Sequence, residues 1–200
     1  MKKICWDIDG VQADFVKDLR TYFNFVQDIP LSQMPEPTTY QFANEWGLTV
    51  AQWHTYYRDF VMARSLSNMN TTESIYEILK AMYHAKQLGY KNIICTVRGT
   101  EYTDTGFVTI AKKDTKDWLT GNCIIVHVDD ILHTRDKAAV DADVFIDDAP
   151  HHLESIRLAG KRAICYSQSY NKEWDGERVN NLQEFVEKLK DVDRPIRKAA

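Results

Sequence analysis

The sequence predicts an α/β fold in three layers, in which helices cover both faces of a parallel sheet. Short, almost continuous apolar runs alternate along the chain with segments whose apolar residues recur at helical spacing. Such runs are typical of parallel strands buried on both faces, and the alternation is typical of β-α-β units. A long aromatic-rich segment separates the first run from the rest. That segment predicts a small helical cap inserted after the first strand.

Five short apolar runs are predicted as strands: Lys3–Ile8, Lys91–Thr96, Cys123–Val128, Asp143–Ile146 and Arg162–Tyr166. The predicted helices that alternate with them or follow them are Thr72–Leu88, Tyr102–Leu119, Pro150–Ala159 and Asn181–Leu189. The first helix has Thr71 or Thr72 as its N-cap candidate and Gly89 as its stop signal. Together these elements predict a Rossmann-like parallel sheet, and the polar tail Asp191–Ala200 is expected to fray.

The segment Asp14–Asn70 contains prolines and has no obvious buried strand. Its aromatic residues are spread along its length: Phe15, Tyr22, Phe23, Phe25, Tyr40, Phe42, Trp46, Trp53, Tyr56, Tyr57 and Phe60. Because open α/β sheets bind ligands at the carboxyl ends of their strands, we expect this helical segment to fold over that edge. The predicted organisation is a core of residues 1–13 and 71–200 with a cap of residues 14–70.

The composition limits the classes of function. The 200 residues are 44% hydrophobic and 27% charged, as in ordinary soluble globular proteins. The formal net charge of −4 excludes a global basic field, so no extended nucleic-acid surface is expected, although a local basic groove stays open. A small anionic substrate would have to be captured locally, by a metal, by basic side chains or by backbone amides.

Cysteine usage and the N-terminus indicate the compartment. The four cysteines form no C-x-x-C pair, and Cys5, Cys95 and Cys165 lie inside apolar runs, which is typical of reduced, buried residues. The apolar run at the N-terminus is too short and too acidic for a signal peptide or a membrane span. We expect a cytoplasmic protein without membrane contact, and a homodimer is left open.

Two carboxylates close the first predicted strand, in Asp7-Ile8-Asp9-Gly10. Because they are two residues apart, both leave the strand on the same side, and Gly10 allows a sharp turn after them. Such a pair could hold a divalent cation or divide the roles of nucleophile and general acid. The pattern alone is only moderately specific, because calcium loops and ordinary turns also contain it.

Three further polar features follow in the sequence. Thr96 closes the second strand and could donate to a phosphate oxygen, although a threonine there is usually structural. A lone lysine such as Lys137 is more often a solvated surface residue. Asp147 and Asp148 follow a buried strand, where adjacent carboxylates require a cation or a lysine nearby. At one edge of the sheet, these groups could supply what phosphoryl transfer needs.

The order Asp-x-Asp-Gly-Val, Thr, Lys, Asp-Asp resembles the haloacid dehalogenase (HAD) superfamily of phosphohydrolases. Within it, Asp7–Phe15 (DIDGVQADF) is similar to the opening motif of the 5'(3')-deoxyribonucleotidases, which typically reads D-M-D-G-V-L-A-D-F. Ile94–Thr96 matches that family's second motif, and Thr134–Pro150 is similar to its lysine and aspartate motifs, with the same ten-residue step from Lys137 to Asp147. The resemblance covers the catalytic core and is weakest across the cap.

The resemblance implies a phosphatase in which Asp7 is the nucleophile and becomes transiently phosphorylated. Asp9 would be the general acid and later the base that activates water. Thr96 and Lys137 would bind the phosphoryl oxygens, and Lys137 would also offset the charge on Asp7.

The resemblance also implies magnesium as the cofactor. The ion would be held by the Asp7 carboxylate, the backbone carbonyl of Asp9 and Asp148. Asp147 would then be a partner of metal-bound waters or of Lys137.

The sequence departs from the family after Thr96, where Val97-Arg98-Gly99 replaces the serine and proline that often follow. Arg98 could be a further phosphate or base contact, or a surface side chain. In the family, cap aromatics stack on the nucleobase. Phe60 is a candidate for this role, as are Trp46 and Trp53, although an aromatic residue at helical spacing more often belongs to the core.

The leading hypothesis is hydrolysis of a nucleoside monophosphate, a deoxyribonucleotide in particular. Two alternatives keep the mechanism and change the substrate to another small phosphomonoester or to a nucleic-acid 3'-phosphate, and the acidic net charge argues against the latter. An alternative of another class is a catalytically silent HAD module with a binding or regulatory role. Nothing in the sequence favours it, because every catalytic position carries a competent residue.

Overall fold

The computed structural model describes residues 1–191, and the predicted fraying of the tail beyond Asp191 lies outside that range. Within it, six parallel strands form one sheet in the order β3-β2-β1-β4-β5-β6. These strands are β1 (Lys2–Trp6), β2 (Tyr90–Thr96), β3 (Asp130–His133), β4 (Val144–Asp147), β5 (Arg162–Tyr166) and β6 (Arg178–Val179). The predicted parallel α/β fold is therefore confirmed.

The α-helices of the described residues are α1 (Phe15–Val26), α2 (Phe42–Glu45), α3 (Val50–Met62), α4 (Ile75–Gln87), α5 (Thr105–Gly121), α6 (Pro150–Leu158) and α7 (Leu182–Asp191). All four predicted helices are present with shifted ends. The predicted N-cap of α4 is wrong, because Ser74 caps this helix by accepting a hydrogen bond from the Glu77 amide. Thr72 instead donates its hydroxyl to the Val11 carbonyl at 2.6 Å. Across residues 1–191, no helix combines the length and apolarity needed to cross a membrane.

The predicted strand Cys123–Val128 is wrong. Its central residues form a 3-10 helix, Ile124–His127, and Cys123 before it has a left-handed φ of 58°. The strand lies later, at β3, which within residues 1–191 pairs with β2 alone and forms an edge of the sheet. An edge strand needs no continuous apolar run, and β3 is partly exposed along its length. In the apolar run before β3, Ile124 is buried in the core, whereas Val126 is 68% exposed.

The segment between β1 and α4 is helical, as predicted. Residues 14–70 contain α1, α2 and α3 and two 3-10 helices, Leu31–Gln33 and Ser65–Asn68. Aromatic side chains of this segment, such as Phe23 and Trp46, belong to the same hydrophobic cluster as Trp6 of β1. The division into a core and a cap at these boundaries stays a prediction.

The strand order places three of the predicted site positions side by side at the carboxyl ends of the central strands. Asp7 follows β1, Thr96 ends β2 and Asp147 ends β4. Because β1 lies between β2 and β4, the carboxyl ends of these strands are neighbours. The amide of Asp7 also donates to the carbonyl of Ile146 at 3.0 Å, which ties the residue after β1 to β4.

The last helix, α7, covers the central strand β1. Trp6 is fully buried, and its ring meets that of Phe185 edge to face with 4.9 Å between centroids. The Trp6 indole donates to Asn92 Oδ1 at 3.0 Å, so its polar atom is satisfied on β2. Phe185 is fully buried as well. This contact fixes α7 against the strand that carries the first acidic motif.

We expect Phe185→Ala to lower the free energy of unfolding by about 3–5 kcal/mol, because it leaves a cavity against Trp6. Urea unfolding followed by tryptophan fluorescence measures this change. Gln183→Ala on the exposed face of the same helix is the control, and it should stay within about 0.5 kcal/mol of the parent protein. Equal stability of the two variants would contradict the packing described for α7.

Candidate active site

A buried ion-pair cluster lies at the carboxyl ends of β1 and β4. Lys137 Nζ is 2.9 Å from Asp7 Oδ2 and 2.5 Å from Asp147 Oδ2. Lys137 opens a short 3-10 helix that Asp136 caps by accepting a hydrogen bond from the Ala139 amide at 3.1 Å. Only 2% of Lys137 is exposed, so the alternative of a solvated surface lysine is excluded.

The two adjacent carboxylates after β4 have different partners. Asp147 accepts hydrogen bonds from Lys137 through Oδ2 and from the Ala149 amide through Oδ1, the latter at 2.9 Å. Both of its carboxylate oxygens are therefore engaged by the protein. Asp148 accepts a hydrogen bond from the Tyr170 hydroxyl, a neutral donor that does not offset its charge.

Burial shifts the pKa values of this cluster. It raises the pKa of Asp7 to about 7, against the opposing charge of Lys137. Burial, together with the charges of Asp7 and Asp147, raises the pKa of Asp148 well above its ordinary value. Burial also disfavours the charged form of Lys137, but the neighbouring carboxylates prevail and raise its pKa well above the usual range. One ammonium group does not offset three carboxylates.

The excess negative charge fits a divalent cation. Carboxylate oxygens of Asp7, Asp147 and Asp148 lie within 4.8 Å of one another. Hard cations such as Mg²⁺ take oxygen ligands, and Mg²⁺ usually has one or two protein carboxylates and keeps its other positions for water and substrate oxygens. Asp147 has both oxygens engaged, by Lys137 and the Ala149 amide, and Asp7 likewise accepts from Lys137 and from the Ile8 amide. Asp148, whose partner is the neutral Tyr170 hydroxyl, is therefore the member of this group best able to contact a cation.

Gly10 makes the turn that brings the first acidic motif against Asp148. Its φ is +75°, in the left-handed region that favours glycine. A β-carbon here would collide with the Asp148 carboxylate and lie 2.6 Å from the Tyr170 hydroxyl. The Gly10 carbonyl accepts a hydrogen bond from Gln168 Nε2 at 2.6 Å, which fixes the turn from the segment after β5.

Asp9 is paired with a different cation from that of Asp7. Arg98 Nε lies 2.9 Å from Asp9 Oδ2, and Arg98 Nη2 lies 2.5 Å from Asp9 Oδ1. The Arg98 side chain is fully buried, whereas 19% of the Asp9 side chain is exposed. The surface alternative for Arg98 is therefore wrong. Its guanidinium has a carboxylate partner in the interior, which sequence position alone did not indicate.

A cavity of about 500 Å³ adjoins the cluster. Its charged lining comes from Asp7, Asp9, Lys137, Asp148, Glu101 and Arg135. Its aromatic lining comes from Phe15, Tyr40, Phe42, Trp53, Tyr57, Tyr102 and Tyr170. The rings of Trp53 and Tyr57 are nearly parallel, at 3°, with 5.8 Å between centroids. Carboxylate and basic side chains therefore line the same cavity as flat aromatic rings.

Most of the predicted charged residues line the same cavity, but two of the predicted phosphate contacts do not. Asp7, Asp9, Lys137 and Asp148 line the cavity, whereas Thr96 and Arg98 do not. Thr96 is fully buried, and its hydroxyl oxygen accepts a hydrogen bond from the Arg98 amide at 3.2 Å. In this structure its hydroxyl therefore serves the turn after β2.

Of the predicted aromatic contacts, only Trp53 lines the cavity. Phe60 is 1% exposed and packs edge to face against Phe15 and Tyr22 of α1. Trp46 is 5% exposed and donates its indole hydrogen to the Pro35 carbonyl at 3.0 Å. The rings of Phe60 and Trp46 are thus used in packing and do not reach the cavity.

Sequence reasoning missed several residues of the lining. Tyr170 touches Asp148 from the segment after β5, and a search for polar residues beyond each strand end would have found it. Arg135 lies two residues before Lys137 and lines the same cavity. Tyr40 and Tyr57 belong to the aromatic-rich segment, in which no sequence signal separates cavity residues from core residues.

The sequence of this chain is similar to a family of nucleotidases and to a curated bacterial protein. A family model described as "5' nucleotidase, deoxy (Pyrimidine), cytosolic type C protein" matches residues 2–192. A Chlorobaculum tepidum protein provisionally named 5'(3')-deoxyribonucleotidase is 27% identical over 185 residues, covering 92% of this chain and 88% of that protein.

Solved structures extend the similarity to the fold. A haloacid dehalogenase-like hydrolase from Streptococcus pneumoniae aligns with a TM-score of 0.60 and 16% identity, over 94% of this chain and 98% of that chain. D,D-heptose 1,7-bisphosphate phosphatase from B. bronchiseptica, complexed with magnesium and phosphate, aligns with a TM-score of 0.52 and 14% identity, over 96% and 99% of the two chains. At these identities, the solved structures show a shared fold alone.

We expect Gly10→Ala to destabilise the protein more than Gly89→Ala. Both glycines have positive φ, so alanine costs about 1–2 kcal/mol of backbone strain at either position. Among the described residues, no heavy atom beyond Gly89 and its two chain neighbours lies within 4 Å of a β-carbon at Gly89, whereas at Gly10 the Asp148 carboxylate must move, which adds about 1–3 kcal/mol. Urea unfolding of both variants measures the difference. Equal destabilisation would show that the Gly10 turn does not press against Asp148.

Proposed function

Because the chain belongs to the cytosolic type C 5'-nucleotidase family, and is thus a phosphoric monoester hydrolase with a HAD-like fold, we propose that it hydrolyses a deoxyribonucleoside monophosphate. We propose further that the reaction is magnesium-dependent and passes through an aspartyl phosphate on Asp7. The observation that carries the proposal is a single cavity whose lining joins Asp7, Lys137 and Asp148 to a set of aromatic rings.

The aromatic lining supports a substrate with a flat base. Trp53 and Tyr57 are stacked, and Tyr102 lies against Tyr57 at 28° with 6.4 Å between centroids. Such rings offer apolar surface on which a nucleobase can stack. A volume of about 500 Å³ is also in the range of small-molecule sites. These features favour a nucleotide over the other small phosphomonoesters.

The first half-reaction follows from the positions of Asp7 and Asp9. An oxygen of Asp7 attacks phosphorus and the ester P–O bond breaks. Asp9 enters this step as the neutral acid, gives its proton to the leaving alkoxide and becomes a carboxylate. Both side chains line the cavity, and one residue, Ile8, separates them in the chain. In the second half-reaction Asp9 takes a proton from water, which attacks the phosphorus of the aspartyl phosphate and releases inorganic phosphate.

The surrounding residues bind charge. Lys137 is assigned to the phosphoryl oxygens, because its ammonium group lines the cavity 2.9 Å from Asp7. Thr96 is proposed as the second contact, for which its hydroxyl would have to turn from the Arg98 amide toward the ligand. Magnesium, held by Asp7, Asp148 and the Asp9 carbonyl, would offset the charge of the phosphoryl group and lower the barrier to its attack by a carboxylate.

In the presence of Mg²⁺, we expect the protein to release phosphate from dUMP, dTMP or dGMP faster than from glucose 6-phosphate or an oligonucleotide 3'-phosphate. Asp7→Asn should lower the rate at least about a thousandfold, because it removes the nucleophile. Asp141→Asn is the control, since Asp141 is a surface residue whose side chain is 94% exposed. The rate of phosphate release is measured for the parent protein, Asp7→Asn and Asp141→Asn. Unchanged hydrolysis by Asp7→Asn would contradict the proposed reaction.

We expect chelation with EDTA to abolish hydrolysis and Mg²⁺ to restore it. Asp148→Asn should raise the Mg²⁺ concentration for half-maximal rate by about 10- to 100-fold, because it weakens a proposed ligand of the ion. Asp175→Asn, at a side chain that is 77% exposed, should leave the magnesium titration unchanged. A full rate after exhaustive chelation would rule out the metal-dependent reaction.

A further inference from the structure

The guanidinium of Arg98 reaches Asp9 from outside the cavity. Both oxygens of the Asp9 carboxylate accept hydrogen bonds from it, at 2.9 Å from Nε to Oδ2 and 2.5 Å from Nη2 to Oδ1. Asp9 lines the cavity, and Arg98 does not. The arginine can therefore fix the direction of this carboxylate without touching a ligand beside it.

The backbone of Arg98 is held at both of its polar groups. Its amide donates to Thr96 Oγ1 at 3.2 Å, and its carbonyl lies 2.8 Å from His133 Nδ1. Thr96 ends β2 and His133 ends β3, so two neighbouring strands set the position of this residue. Its side chain passes over the Trp118 ring and beside Met69 Sδ. These contacts give the guanidinium one defined place.

Stability alone does not account for an arginine at this position. The Arg98 side chain is fully buried, and its Nη1 has no hydrogen-bond partner among residues 1–191. A buried charge with an unsatisfied donor costs free energy, and replacing a buried ion pair with well-packed apolar side chains is often neutral or stabilising. With Trp118 and Met69 beside it, an apolar side chain of similar length would pack well.

We propose that Arg98 is a positioning residue that orients the Asp9 carboxyl group, which carries a proton in the first half-reaction, for proton transfer to the leaving group. This inference rests on the proposed function, in which Asp9 is the general acid. General acid catalysis requires the carboxyl group to lie within hydrogen-bond reach of the leaving oxygen. The bidentate contact holds the carboxylate in one rotamer, while 19% of the side chain stays open to the cavity. Arg98 thereby acts on the leaving group through Asp9 and makes no substrate contact of its own.

The test compares two substrates that differ in their need for an acid. Expulsion of a nucleoside alkoxide from dUMP needs a proton, whereas p-nitrophenolate leaves p-nitrophenyl phosphate without one. We expect Arg98→Met to lower kcat/KM for dUMP by about 30- to 100-fold, as misplacement of a catalytic group does, and kcat/KM for p-nitrophenyl phosphate by less than about threefold. Arg98→Lys, which retains one charged donor, should fall between the parent protein and Arg98→Met on dUMP.

Two controls separate positioning from folding. Arg64→Met removes another arginine–aspartate pair, with Asp114 of α5, and should leave the ratio of the two kcat/KM values unchanged. In an Asp9→Asn background, Arg98→Met should cause no further loss on dUMP, because the group that it orients is already absent. Circular dichroism and thermal melts of each variant report its folding.

The outcomes are distinct. An equal loss of kcat/KM on both substrates, or additive losses for Asp9→Asn and Arg98→Met, would overturn the positioning role. If Arg98→Met does not fold, the same comparison for Arg98→Lys decides the question. A parent protein that cleaves p-nitrophenyl phosphate but no nucleotide would contradict the proposed substrate, and glycerol 2-phosphate would then replace dUMP in the comparison. A loss in Arg98→Met confined to glycerol 2-phosphate would support the positioning role, and an equal loss on both substrates would overturn it.

Discussion

The site depends on the burial of three carboxylates around one ammonium group. The charge of Lys137 is shared by Asp7 at 2.9 Å and Asp147 at 2.5 Å, while Asp148 has a neutral hydroxyl as its partner. Taking such groups out of water costs on the order of several kcal/mol per ion, and one cation does not offset it for three acids. A surplus of buried negative charge is typical of a site that binds a cation or performs chemistry. The neighbouring structure keeps this surplus together.

The fold achieves this through backbone contacts at the ends of central strands. The amide of Asp7 donates to Ile146 on β4, and its carbonyl accepts a hydrogen bond from Gln12 Nε2 at 3.1 Å. The Ile8 amide donates to Asp7 Oδ1 at 2.8 Å, while the Ile8 side chain is fully buried in the core. One residue thus anchors the loop on its apolar side and orients the carboxylate on its polar side. These contacts orient the carboxylate that is the nucleophile of the proposed reaction.

β2 ends at Thr96 as the sequence predicted, and β1 and β4 end within two residues of their predicted ends, because each of these strands is a buried apolar run followed or closed by a polar residue. The sequence did not predict β3, since an edge strand is half-solvated and lacks that signal. The partner of Arg98 could not be predicted, because Asp9 lies 89 residues away and most loop arginines are solvated. Trp53, Tyr57 and Phe60 occupy neighbouring turns of α3. Helical spacing alone did not distinguish Trp53 and Tyr57, which line the cavity, from Phe60, which does not.

The two carboxylates of the first motif are held by cations from different parts of the chain. Lys137 reaches Asp7 from the turn after β3, and Arg98 reaches Asp9 from the turn after β2. In an in-line displacement, the nucleophile and the leaving oxygen lie on opposite sides of phosphorus, so the groups that serve them must be oriented independently. A single cation shared by both carboxylates would move both whenever it bound a phosphoryl oxygen. In the proposed reaction, separate partners would allow Lys137 to bind the phosphoryl group while Asp9 keeps its direction.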